Sequence, residues 1–265
     1  MNDSIPLFKH DLNASTEFSP ESLVEAVRVN KHLEAEQIPT VCVLEFDGDL
    51  TDWLVSTGKA KPCKSWACFH TTMFSLQVDD FTCGIVPRTI GGPYAVLIAE
   101  QMRVSGAHVI LGLTSAGRVS PSMPLPGLVV VTRAIRDEGT SYHYLPPAET
   151  VDATPKLSKL LEFELKELSL PVSSGLTWTT DAPYRETKKQ LSEYAKVGVL
   201  AVEMQAASLL AFAKANQFPV GIVAYVTNGI DQTGEPFDKG THAQEFEILK
   251  HVCRAGNRLV TSSKP

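Results

Sequence analysis

The sequence predicts an α/β fold built on a mostly buried sheet. Short apolar, β-branched runs recur along the chain, stretches with one-sided apolar spacing separate them, and polar, glycine-containing turns follow several of the runs. Alternation of this kind is what a sheet covered by helices requires.

Residues 1–18 read as an irregular arm. Ser19-Pro20-Glu21 then supplies a helix start, a capping hydroxyl followed by proline at the first helical position. Leu23, Val24, Val27 and Leu33 carry a partial apolar stripe to about Ala35. Beyond Pro39, Val41-Cys42-Val43-Leu44 fits a buried strand, which Phe46-Asp47-Gly48-Asp49 breaks. Strands are expected near Trp66–Leu76 and over Phe81–Val86. Ile90-Gly91-Gly92-Pro93 opens a helix running from Ala95 to Val104. Val109-Ile110-Leu111 is a strand ending in the turn Thr114-Ser115-Ala116-Gly117, and Leu128–Val131 is another strand.

The second half repeats the pattern. Residues 155–168 read as a helix with Leu157, Leu160, Leu161 and Leu165 on one side. A strand leads into Trp178-Thr179-Thr180-Asp181, residues 203–215 are helical, Val220–Val226 is a strand ending in Thr227-Asn228-Gly229, and residues 243–260 close the chain as a helix. With no linker or repeat, residues 1–38 form an arm and helix, and residues 39–265 one domain.

Composition narrows the function. At 265 residues with 43% hydrophobic and 20% charged, the chain can bury a substantial core. A net charge of −6 argues against a broad nucleic-acid-binding face. No apolar run is long enough for a membrane span. The N-terminus lacks a secretory pattern, so a cytoplasmic location is expected. The five cysteines, Cys42, Cys63, Cys68, Cys83 and Cys253, read as buried or free thiols. There is no P-loop, dinucleotide fingerprint or H-E-x-x-H motif, so neither cofactor nor metal is expected.

Ligands of open α/β sheets collect beyond the carboxyl ends of strands, where this chain places its polar turns. Gly91-Gly92 permits close backbone approach at a helix N-terminus. Ser115 offers a hydroxyl. Glu203, in Val202-Glu203-Met204-Gln205-Ala206-Ala207, is a carboxylate between apolar segments, expensive unless paired or used. His143 lies in the polar, aromatic segment Arg136–Tyr144 and reads equally as a base, a substrate contact or a surface residue.

The ordered set of these segments resembles the nucleoside phosphorylase superfamily of purine nucleoside and uridine phosphorylases and nucleosidases. Ile90-Gly91-Gly92-Pro93 resembles its glycine turn, Ala134–Tyr144 a segment of the uridine phosphorylases, Thr180-Asp181-Ala182 the base-side turn, and Val202-Glu203-Met204 with Ala206-Ala207 the V-E-M-E-A-A signature. The resemblance spans residues 39 to 260. It implies a three-layer α/β sandwich with a central mixed, partly closed sheet, and cleavage of a nucleoside N-glycosidic bond. It also implies Glu203 and Met204 at the ribose, with Gln205 in place of the signature's second glutamate. Ser115 falls on the phosphate or ribose side. Thr180, Asp181, Pro183 and Tyr184 lie along the base pocket, and Asn228 falls at the leaving base. A homo-oligomer, a dimer or trimer of dimers, is implied too, with His10 in the arm as a residue donated between subunits.

The oxocarbenium-like transition state favours negative or dipolar groups near the sugar, and the departing base needs a hydrogen-bond donor. Asn228 donates but cannot transfer a proton, which suits a 6-oxopurine or pyrimidine better than adenine. The family's phosphate-binding arginines are missing from the first loop and from the position near Gly112. A carboxylate about 5 Å from phosphate costs about 3 kcal/mol per charge at an effective dielectric near 20. Asp47 and Asp49 therefore favour water, and either can serve as its general base. Arg88 and Arg118 are replacement cations that would restore phosphate binding, so the sequence leaves the acceptor, phosphate or water, open. Two other readings stand beside catalysis on a nucleoside: a non-catalytic nucleoside-binding relative, and an unrelated α/β hydrolase using Ser115 and His143.

Overall fold

The computed structural model describes residues 5–9, 11–229 and 240–262; His10 lies outside them. Helix α1 spans Pro20–Lys31, capped by the Ser19 hydroxyl accepting from the Ser22 amide at 3.2 Å. It ends at Lys31, short of the expected Ala35, because at His32 the backbone turns left-handed (φ 54°) and its N–H returns to the carbonyls of Arg28 and Val29. After it come β1 (Val41–Glu45), α2 (Asp49–Ser56), β2 (Ala60–Pro62), β3 (Phe74–Val78), β4 (Phe81–Pro87), α3 (Gly92–Val104), β5 (Val109–Arg118) and β6 (Gly127–Asp137). The second half holds β7 (Thr150–Asp152), α4 (Pro155–Leu165), β8 (Val172–Thr180), α5 (Lys188–Lys196), β9 (Val199–Glu203), α6 (Ala206–Ala215), β10 (Val220–Gly229) and α7 (His242–Thr261).

The strands form one ten-stranded mixed sheet in the order β10-β6-β8-β9-β5-β1-β4-β3-β2, with β7 on β6. A further pairing of β10 with β5 closes β10, β6, β8, β9 and β5 into a five-stranded ring. The expected partly closed mixed sheet is thus present.

Alternating side chains of β1 and β5 explain the layering. Cys42, Leu44 and Ile110 pack with α3 and α6 on one side, whereas Val41, Val43, Val109 and Leu111 pack with α2, α4 and α7 on the other. The α4 stripe Leu157, Leu161 and Leu165 is fully buried, each leucine contributing about 1.5–3 kcal/mol of transfer free energy.

Three differences from the sequence reading have physical causes. Thr114–Gly117 is not a turn: it continues β5, because β10 runs alongside to the Gly229–Arg118 pair and β9 meets Gly117 and Arg118 on the other edge. The strand expected over Trp66–Leu76 begins only at Phe74, where β2 and β4 offer ladder partners. Glu203 ends a strand, and its helix starts at Ala206. The elements α2, β2, β7, α5 and β9 are additional to those expected from sequence, although Thr187 and Gln190 form a capping box at the start of α5. All five cysteines are unpaired. Among the described residues, no helix is long and apolar enough to cross a membrane.

Candidate active site

Closure of the ring brings the polar strand ends together. Asn228 of β10 pairs with Gly117 of β5, and Gly117 pairs with Val202 of β9. One strand, β5, therefore stands between Asn228 and the Glu203–Met204 corner. The Asn228 side-chain amide donates to the Thr227 hydroxyl at 2.8 Å.

Beneath the first loop, Asp47 reaches across to β5. Its carboxylate accepts from the Ser115 amide at 3.1 Å and from the Ser115 hydroxyl at 3.0 Å. Glu45, at the end of β1, is buried and accepts from Gly48 N at 2.6 Å, Thr51 N at 3.3 Å and Thr51 Oγ1 at 2.9 Å. Burial raises its carboxyl to about 7 against those three hydrogen bonds. Glu45, Asp47, Asp49, Ser115, Thr227 and Glu245 help to line a cavity of about 20 Å³. That is room for one water molecule. No basic residue lines the cavity among the described residues.

Arg88 comes closest to supplying a cation. It adopts φ +58° and folds over the first loop, so that a Cβ on Gly48 would lie 2.5 Å from Arg88 Cγ. Gly48 itself has φ +95°, so only glycine fits that corner. The Arg88 guanidinium pairs with Asp52, and both side chains are more than half exposed. Arg118 faces elsewhere, into a surface cleft with Pro121, Lys188 and Leu191.

At the other end of the site, Glu203 is buried and wholly engaged. It accepts from Thr179 Oγ1 at 2.5 Å, Gln205 N at 2.6 Å and Ala206 N at 2.6 Å. Burial again raises the carboxyl to about 7. Gln205 is buried, with its carbonyl accepting from Met204 N at 3.2 Å, and Met204 is half-buried. A second buried carboxylate, Glu138, accepts from the Ser141 amide at 3.0 Å and the Ser208 hydroxyl at 2.5 Å. Gly92 packs against that serine, whereas Gly91 stands at the N-terminus of α3 with open space beside it.

The residues expected on the base side are less enclosed. Thr180 is buried and its hydroxyl accepts from Ala182 N at 3.2 Å. Asp181 accepts from Gly139 N at 2.9 Å, and burial raises its carboxyl pKa. Pro183 is half-buried, and Tyr184 is 99% exposed. Asp181 and His143 line a groove of about 790 Å³ with Phe18, Pro93 and Tyr144. Ser115 lines the small cavity instead and gives its hydroxyl to Asp47. The Ser115–His143 couple of the hydrolase reading is therefore not assembled.

Glu45, Thr179, Glu138 and Ser208 were not singled out by sequence reading. Glu45 had a visible signal, a carboxylate closing an apolar run. The other three join residues distant in the chain, and only the fold pairs them.

The Phosphorylase superfamily model matches residues 40–258. Uridine phosphorylase of Escherichia coli (strain K12) is 23% identical over 235 residues, covering 83% of this chain and 92% of that protein. Guanosine phosphorylase of Halorubrum lacusprofundi is 27% identical over 180 residues, 65% of this chain and 73% of the relative. Purine nucleoside phosphorylase of Plasmodium vivax is 25% identical over 199 residues, 70% and 76% of the two chains.

Proposed function

The chain belongs to the phosphorylase superfamily, and from that premise we propose that it is an enzyme that cleaves the N-glycosidic bond of a nucleoside with water as the acceptor. The observation that carries the choice of water is the Asp47–Ser115 pair. The amide and hydroxyl that would receive an anion at the end of β5 are already donated to the chain's own carboxylate. Phosphate would have to displace Asp47 and then sit among Glu45, Asp49 and Glu245, which its charge opposes.

In this reading the sugar lies at the Met204–Gln205 corner and the base toward Asn228 and Thr180. The small cavity seats the attacking water. As the C1′–N bond lengthens, the sugar becomes oxocarbenium-like and the carboxylates stabilise it. Water bonds to C1′, its proton passes to Asp47, and the base leaves with the bonding pair, its charge met by the Asn228 amide. The base regains a proton from solvent.

Arg88 favours a second reading, phosphorolysis, because its guanidinium lies over the first loop and would need only to leave an exposed partner. One assay separates the two. Purified protein is incubated with a panel of purine and pyrimidine nucleosides, with and without inorganic phosphate, and free base is quantified. Release in buffer alone, unaffected by phosphate, supports hydrolysis. Strict dependence on phosphate overturns water as acceptor, and no release under either condition overturns catalysis.

A homo-oligomer is part of the proposal, as is the absence of nucleic-acid and membrane partners. Light scattering gives the oligomeric state directly, and a fully active monomer would overturn that element.

A further inference from the structure

We propose that Thr179 is a positioning residue: with Glu203 it forms a composite cap, built from two strand ends, that holds the Met204–Gln205 turn in place for the sugar. The sugar's place rests on the functional reading above; the cap itself does not.

The amides opening α6 have no partner on their own helix, and Gln205 at the cap position provides no side-chain hydrogen bond to them. Two side chains from neighbouring strands meet them instead. Glu203 Oε2 takes Gln205 N and Ala206 N, and Thr179 Oγ1 takes Ala207 N at 2.9 Å. The Thr179 hydroxyl in turn donates to Glu203 Oε1. Parallel pairing of β8 with β9 sets Thr179 directly opposite Glu203, so register fixes the geometry.

A hydroxyl is the group that serves here, because it must donate to a carboxylate and accept from an amide at once. Valine has the same shape and can do neither. Both residues are buried, Thr179 at 0% and Glu203 at 4% exposure, so water cannot replace a lost bond. In its ionised form Glu203 also places a negative charge at the positive end of α6. Removing the hydroxyl frees Ala207 N and one carboxylate oxygen, and the turn shifts to recover partners.

The test compares wild type with Thr179→Val and Thr179→Ser. Amide hydrogen exchange is read at Gln205, Ala206 and Ala207, and nucleoside cleavage is resolved into kcat and KM. Thr179→Val is expected to speed exchange at Ala207 about tenfold or more and to raise KM about tenfold; Thr179→Ser is expected to restore both to within about threefold of wild type. A fall in kcat with unchanged KM, the mark of a smaller folded fraction, overturns the positioning role. If Thr179→Val does not fold, Thr179→Ala removes the same two bonds and carries the comparison. If wild type cleaves no nucleoside, the functional reading falls and exchange alone decides: equal rates in wild type and Thr179→Val overturn the cap.

Discussion

Asp47 bonds Ser115 twice, through its amide at 3.1 Å and its hydroxyl at 3.0 Å. The two residues are 68 positions apart in the chain, and the pairing of β1 with β5 brings their strands side by side. A carboxylate fixed there by two donors opposes an external anion and, in the proposed hydrolysis, serves as the base.

Asp47→Ala removes both roles. Base release in buffer is expected to fall by about 10²–10⁴-fold, the range of general-base contributions. Isothermal titration is expected to detect inorganic phosphate binding to the variant and none to wild type. Unchanged hydrolysis in the variant would show that Asp47 is not the base.

Asn228 tests the leaving-group role. A side-chain amide donates to a carbonyl-bearing base but cannot protonate adenine. Wild type is therefore expected to prefer 6-oxopurine or pyrimidine nucleosides, and Asn228→Asp to shift relative kcat/KM toward adenine nucleosides by about tenfold or more. Asn228→Ala is expected to lower turnover about 10²-fold, the cost of losing one such donor. Identical base preference in wild type and Asn228→Asp would refute the assignment.

Gly92 tests the packing that backs the site. A Cβ there would lie 2.1 Å from Ser208 Oγ and 3.0 Å from Ser208 Cβ, forcing α3 away from α6. Gly92→Ala is expected to cost about 1–3 kcal/mol in denaturant unfolding. Ser208→Gly removes the clashing atoms but also the hydrogen bond to Glu138, so the double variant is expected to be more stable than the sum of the two single losses, by at least half of the Gly92→Ala loss. Additive losses in the double variant would argue against the contact.

Glu45 gives a pH dependence with a definite sign. Burial raises its carboxyl from 4.5 to about 7 in the folded protein. Between those values the folded state holds a proton that the unfolded chain has released, so this group's stabilisation is full below about pH 4.5 and lost as pH rises through about 7. Glu203 acts in the same direction, also at about 7. Each is expected to withdraw up to about 3 kcal/mol across that window. Urea unfolding of Glu45→Gln at several pH values should show a shallower decline than wild type, and an identical slope would exclude the contribution.

Much of the architecture was legible because apolar periodicity and helix-start chemistry are local. The Ser19-Pro20 start of α1, the buried run of β1, the α4 leucine stripe and the closing helix α7 all follow from neighbours in the chain. The polar strand ends could be proposed as site material on the same basis. Their partners could not. Arg88 and Arg118 are equivalent as sequence, each a cation beside a small-residue segment. The fold folds one over the first loop and sends the other to a surface cleft.

By itself the sequence determined the α/β class, the superfamily resemblance and the set of polar strand ends, since each depends on residue type and order over short spans. Only tertiary structure decided that β5 continues through Ser115, that Asp47 occupies its donors, and that Glu203 turns inward to hold a helix. Those outcomes depend on which strands become neighbours and in what register. Hydrogen-bond donors and acceptors from distant segments select one another only after the ring has closed.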